Sequence, residues 1–168
     1  MKKDINNRLG IIWILMSVSF ASVMSILVKE LGQTFDSRLL VLFRAGLLTI
    51  FLCLPVVAIP AFRHRLRFSK PYLHIFRGLL IAFSTHLGFF TLTVLPIATT
   101  IVLFFTAPIF ATILSILINK ERVGLRRWLA VIIGFFGVLI VLQPGFEGSY
   151  TAMFSALLSS FLFALALA

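Results

Sequence analysis

His86 stands near the middle of an apolar run, in AFSTHLGFF, where an ionisable side chain is expensive to place. Such a group is a functional candidate by default; the plain reading is a neutral imidazole hydrogen-bonded to a neighbouring Ser or Thr. Arg44 and Arg77 also lie inside apolar runs, each only roughly 8 Å from a segment end at about 1.5 Å per residue. Both can therefore snorkel to the nearer interface. Arg44 has a second reading, because Lys29, Glu30, Asp36 and Arg38 gather at the same end. Such a cluster either lines a vestibule for a charged solute or caps helices. Hydroxyls add to the set: Ser22, and Thr99, Thr100, Thr106 and Thr112 in one later run. Thr99 and Thr106 fall on one face of a helix. Pro108 removes a backbone donor and frees the carbonyl of Phe104, which in lipid needs another partner, with Thr106 close by. The resulting kink either opens a cavity or helps packing. The candidate solute-pathway residues are thus His86, Arg44, Lys29, Thr99, Thr106, Pro108 and Ser22.

Catalytic chemistry has little to draw on. Cys53 is the only cysteine, so neither an intrachain disulfide nor a thiolate cluster can form. His64, His74 and His86 lack metal-ligand spacing and adjacent carboxylates. The five acidic residues are Asp4, Glu30, Asp36, Glu121 and Glu147. There is no nucleophile elbow, phosphate loop or His-Glu zinc motif. These observations predict no enzyme activity, no metal and no cofactor. The net charge of +10 is distributed in short clusters between apolar runs, without a basic groove interleaved with stacking aromatics. Nucleic acid is therefore not an expected partner.

The elements that hold these residues follow from hydropathy. The chain has 168 residues and is 61% hydrophobic, too much for a soluble domain. Six apolar segments are legible: 9–28, 39–62, 72–95, 96–118, 127–142 and 150–168. A helix needs roughly 20 residues to cross the hydrocarbon, and alternating strands are absent. The expected fold is an all-α integral membrane protein in the lipid bilayer. The fifth segment is short, which suggests local thinning or shielding by neighbours. Pro96 opens the fourth, where a missing N–H costs nothing. The first, behind MKKDINNR, is too long for a typical signal-peptide core and reads as an uncleaved span.

Basic residues set the expected orientation. Lys2, Lys3 and Arg8 precede the first segment; Arg63, Arg65, Arg67 and Lys70 follow the second; Lys120, Arg122, Arg126 and Arg127 follow the fourth. The alternate connections hold only Lys29 and Arg38. The positive-inside rule then predicts a cytoplasmic N-terminus. Small residues recur every four positions at Ala152, Ala156, Ser160, Ala164 and Ala168, at Ser17, Ala21 and Ser25, and at Ala130 and Gly134. Such stripes predict close helix packing. At an offset of 138 residues, Gly10, Ser17, Ser22 and Leu27 match Gly148, Ser155, Ser160 and Leu165. A repeat unit of five helices would place its second copy upside down in the membrane.

The run from Leu95 to Gly145 resembles the EamA domain of the drug/metabolite transporter superfamily. The resemblance rests on Pro96, Thr106-Ala107-Pro108, Glu121-Arg122, Trp128, Gly134, Gly137 and Pro144, joined by Lys29, Arg44 in FRAGLL, and Arg77-Gly78. It implies a five-helix domain over 1–145, with 146–168 opening a second, inverted copy. It also implies secondary transport of small metabolites by alternating access in the bacterial inner membrane. The Pro-Ile-Ala-Thr-Thr and Arg-Gly-Leu-Leu contexts look most like members for S-adenosylmethionine uptake, with amino-acid-like solutes the broader class. Because the family usually uses two domains, the alternative expectation is a truncated, non-transporting remnant or a half-transporter needing a second copy or a second chain.

Overall fold

The computed structural model describes residues 7–58, 70–120, 123–145 and 148–168, with side chains from Gly10 onward. The helices are α1 (Asn7–Leu31), α2 (Ser37–Ala58), α3 (Pro71–Val94), α4 (Ile97–Phe104), α5 (Ala107–Asn119), α6 (Leu125–Leu142) and α7 (Tyr150–Leu167). Taking α4 and α5 together, six stretches among the described residues are long and apolar enough to cross a membrane. The protein is an all-helical, multi-pass membrane protein. Arg63, Arg65, Arg67 and Arg122 lie outside the described residues, while Arg126 and Arg127 stand exposed in the first turn of α6.

Local chemistry sets the boundaries. Pro71 opens α3, where its fixed φ suits a first turn. Leu95 precedes Pro96 and is extended, at φ −90° and ψ 159°, which stops α3. Lys120 and Gln143 end α5 and α6 in the left-handed region, at φ 52° and 40°. The segment expected at 96–118 is broken outright: α4 stops at Phe104, Phe105 and Thr106 form a turn, and Pro108 sits in the first turn of α5.

The bundle is organised around α3 and α7, which make the most extensive helix–helix contact. Leu95 at the end of α3 packs with Ala152 and Ala156 near the start of α7, so the two helices run antiparallel. The four-residue stripe on α7 lets the backbones approach. Ala152, Ala156, Ser160 and Ala164 are buried, and only Ala168 at its end is exposed. Gly88 on α3 is part of the same fit, since a Cβ there would lie 3.3 Å from both Phe104 Cζ and Ser159 Oγ. The other stripes behave differently. Ser17, Ala21, Ala130 and Gly134 are exposed, and nothing described lies within 4 Å of a Cβ built on Gly134. The packing expected for those stripes is therefore not made among the described residues.

Around this pair, α1 and α2 lie against α3, while α5 packs on α7 and α6 on α4 and α5. A second cluster joins Val28 of α1 to Phe89 and Leu92 of α3, with Leu40 and Val41 of α2 against it. The outward faces of α1, α2 and α6 are apolar, with Phe51, Val57 and Val141 each largely exposed. Lipid is the solvent that such faces require.

Candidate functional site

A cavity of about 360 Å³ opens where α1, α2, α3, the α4–α5 break and α7 meet. That volume falls within the range of small-molecule sites. Its apolar wall is Met24 and Ala21 of α1, Phe89 and Leu92 of α3, Phe104 and Ala107 at the break, and Phe163 of α7. Its polar residues are Ser25, Arg44, Ser84, Thr85, Ser159 and Ser160. Arg44 is the only charged residue among them. Its guanidinium carbon lies 5.2 Å from the centre of the Phe89 ring, a cation–π geometry that holds the charge against the wall. Arg44 has no hydrogen-bond or ion-pair partner among the described residues.

The hydroxyls are held by backbone carbonyls. Ser84 Oγ donates to the carbonyl of Ser159 at 2.8 Å, and Ser159 Oγ donates to the carbonyl of Ser84 at 2.8 Å. This reciprocal pair ties α3 to α7 beside the Gly88 contact. Ser160 Oγ donates to the carbonyl of Leu103 at 3.1 Å. That carbonyl, exposed by the break, also receives Thr106 Oγ1 at 2.6 Å and the Thr106 N–H at 3.2 Å. The hydroxyl partner expected for the Phe104 carbonyl is thus found one residue earlier. The Leu103 carbonyl keeps a backbone donor from the turn, and the hydroxyls of Thr106 and of Ser160 on α7 add to it. Ser25 Oγ donates within its own helix, to Ala21 at 2.9 Å.

Of the candidate solute-pathway residues, Arg44 lines the cavity and the others sit elsewhere. Lys29 Nζ donates to the carbonyls of Leu95 at 2.7 Å and Thr93 at 3.2 Å, tying the end of α1 to the end of α3. Thr99 is fully buried and donates to the carbonyl of Gly145 at 2.8 Å, joining α4 to the end of α6. Ser22 is exposed and bonds back to Val18 in its own helix. Thr106 borders the break, Pro108 faces outward, and His86 is half-buried on α3 but does not line the cavity. Sequence reasoning placed Ser25 only in a packing stripe and missed Ser84, Thr85 and Ser159. A signal for Ser84 was present: it forms with Gly88 a small-residue pair at a spacing of four on α3, matched to the stripe on α7.

Comparison with known proteins covers most of the chain. The model of the EamA-like transporter family matches residues 8–143. The S-adenosylmethionine uptake transporter of Rickettsia bellii is 32% identical over 157 residues, 94% of this chain and 53% of that protein. That of Rickettsia prowazekii is 33% identical over 135 residues, 80% of this chain and 45% of that protein. The riboflavin transporter of Vibrio cholerae is 36% identical over 98 residues, 58% of this chain and 33% of that protein. The chain spans about half the length of the S-adenosylmethionine transporters it matches. No solved structure matches.

Proposed function

The chain belongs to the EamA-like transporter family, and on that premise we propose that it forms all or part of a secondary transporter of a small metabolite. The observation that carries this reading is the cavity between α1, α2, α3, the α4–α5 break and α7. It is concave, mostly apolar and has a few convergent polar groups, as solute sites are. It lies beside a broken helix, the arrangement by which transporter folds bring irregular backbone to a solute. The two α3–α7 serine bonds and the Ser160–Leu103 bond join the parts of its wall.

The solute class we propose is that of S-adenosylmethionine, the substrate named for the relatives that cover the most of this chain. The clustering of basic residues supports a cytoplasmic N-terminus in a bacterial inner membrane. Residues 1–145 then form the five-helix unit, and 146–168 the first helix of an inverted second unit. The reading is tested by reconstituting the chain into liposomes and following radiolabelled S-adenosylmethionine. Saturable accumulation above protein-free vesicles supports it. No flux under any imposed proton, sodium or solute gradient would count against transport by this chain alone. Orientation is tested separately in a Cys53→Ser background, with Ser69→Cys and Gln33→Cys labelled by an impermeant maleimide. Labelling of Ser69→Cys from outside intact cells would reverse the topology.

A further inference from the structure

The cavity lining carries two kinds of polar group of opposite hydrogen-bonding character. Arg44 supplies only donors and a positive charge. It is half-buried, and among the described residues nothing neutralises it. In the same lining, Ser84, Ser159 and Ser160 each donate their one O–H to a backbone carbonyl. Their oxygens keep lone pairs, so toward a solute these serines are acceptors. Among the described residues no carboxylate lines the cavity. The remaining wall offers the rings of Phe104 and Phe163 to an apolar or flat body.

We infer that this cavity recognises the amino-acid end of its solute: a carboxylate paired with Arg44 and an ammonium received by the Ser84, Ser159 and Ser160 oxygens, with the body against Phe104 and Phe163. This rests on the proposed transport of an S-adenosylmethionine-like solute and adds the part of the solute that is read and the residues that read it. A guanidinium suits a carboxylate because its planar fork makes two parallel charge-assisted bonds. The acceptor face suits N–H donors and disfavours a carbonyl or carboxylate in the same place. A solute lacking its carboxylate would leave Arg44 facing the cavity unpaired and add no compensating contact.

The experiment measures binding by calorimetry to the chain in lipid nanodiscs, with three probes: S-adenosylmethionine, its decarboxylated form, and its 2-oxo analogue, in which a carbonyl replaces the ammonium. Loss of one charge-assisted pair corresponds to roughly tenfold to hundredfold in affinity. Both altered probes are therefore expected to bind the wild-type chain at least about tenfold more weakly than S-adenosylmethionine. In Arg44→Gln the gap for the decarboxylated probe should close to within about threefold while the gap for the 2-oxo probe persists. Arg44→Lys, which keeps the charge without the fork, should fall between and guards against misreading a folding defect. A gap for the decarboxylated probe that survives Arg44→Gln overturns the assignment of Arg44. Equal binding of all three probes by the wild-type chain overturns this reading of the lining and leaves the proposed transport standing. No binding of any probe overturns both.

Discussion

Replacing Lys29 by Met should destabilise the bundle without altering what its cavity binds. The residue is a cation at the end of an apolar stretch, and a role in a solute pathway is one reading from sequence. Its ammonium instead donates to two carbonyls at the end of α3, at 2.7 and 3.2 Å. The last carbonyls of a helix have no partner within it, and a cation there also meets the negative end of the helix dipole. A hydrogen bond to a charged group contributes roughly 1.5–3 kcal/mol net, and the helix-end interaction about 0.3–1 kcal/mol. Lys29 is half-buried, and its two bonds share one ammonium, so the sum is smaller than the parts. We expect Lys29→Met to cost about 2 kcal/mol, a factor of roughly thirty in the unfolding equilibrium. Lys29→Arg should recover at least half of it, because a donor and a charge remain. The assay is equilibrium unfolding by sodium dodecyl sulfate in mixed micelles, with calorimetric binding of S-adenosylmethionine on the same preparations. An unchanged unfolding midpoint together with lost binding would refute the capping role and return Lys29 to the pathway.

Three further outcomes follow from the same contacts. Gly32→Ala should lower stability by roughly 1–3 kcal/mol, since its Cβ would overlap the Thr93 methyl and crowd the Val28 carbonyl. Thr93→Ala should restore only part of that loss, because the Thr93 Cβ itself is within 2.9 Å of the new atom; full rescue would show that only the methyl matters. Ser84→Ala and Ser159→Ala should each cost about 0.6 kcal/mol, the typical worth of a hydrogen bond between membrane helices. The double variant, read by the same unfolding assay, should cost close to the sum, since each removes a separate donor–carbonyl bond. A coupling beyond roughly 1 kcal/mol would mean that the 3.3 Å contact between the two hydroxyls carries the pair instead. Ser160→Ala should cost no more than about 1.7 kcal/mol, the upper end for such bonds, because Thr106 still donates twice to the Leu103 carbonyl.

How far the sequence carries the fold depends on which physical signal each feature leaves. The number of spans and their approximate ends are legible because hydrophobic length is an absolute requirement in lipid. The α7 stripe is legible for a related reason: only small residues let two backbones approach as closely as α3 and α7 do. The same pattern on α6, at Ala130 and Gly134, meets nothing among the described residues, so periodicity alone does not name a partner. What the sequence obscures is which face of each helix turns inward. In water an amphipathic stripe marks the buried side, but lipid is as apolar as a protein core, and that contrast vanishes. Ser22 and Ser25 illustrate the consequence. They differ by three positions and both bond back to their own helix, yet Ser25 lines the cavity and Ser22 does not.

The rarity of charge within the membrane locates the candidate site more surely than the pattern of hydroxyls does, but it ranks the charges poorly. Lys29, Arg44 and His86 are all ionisable residues in or at the end of an apolar segment, and only coordinates separate them. Lys29 ends on two carbonyls, His86 lies off the cavity, and Arg44 faces the cavity with its donors unclaimed among the described residues. A charge that the protein satisfies internally is explained by the fold, whereas one held against an aromatic wall with nothing to neutralise it is explained by what enters. The same logic sorts the polar residues around the break. Thr106 and Ser160 both donate to the Leu103 carbonyl at the break, so these hydroxyls are spent within the fold. Among the described residues the charge in the cavity lining that no other group neutralises is the Arg44 guanidinium, and the chemistry of a solute is most directly read there.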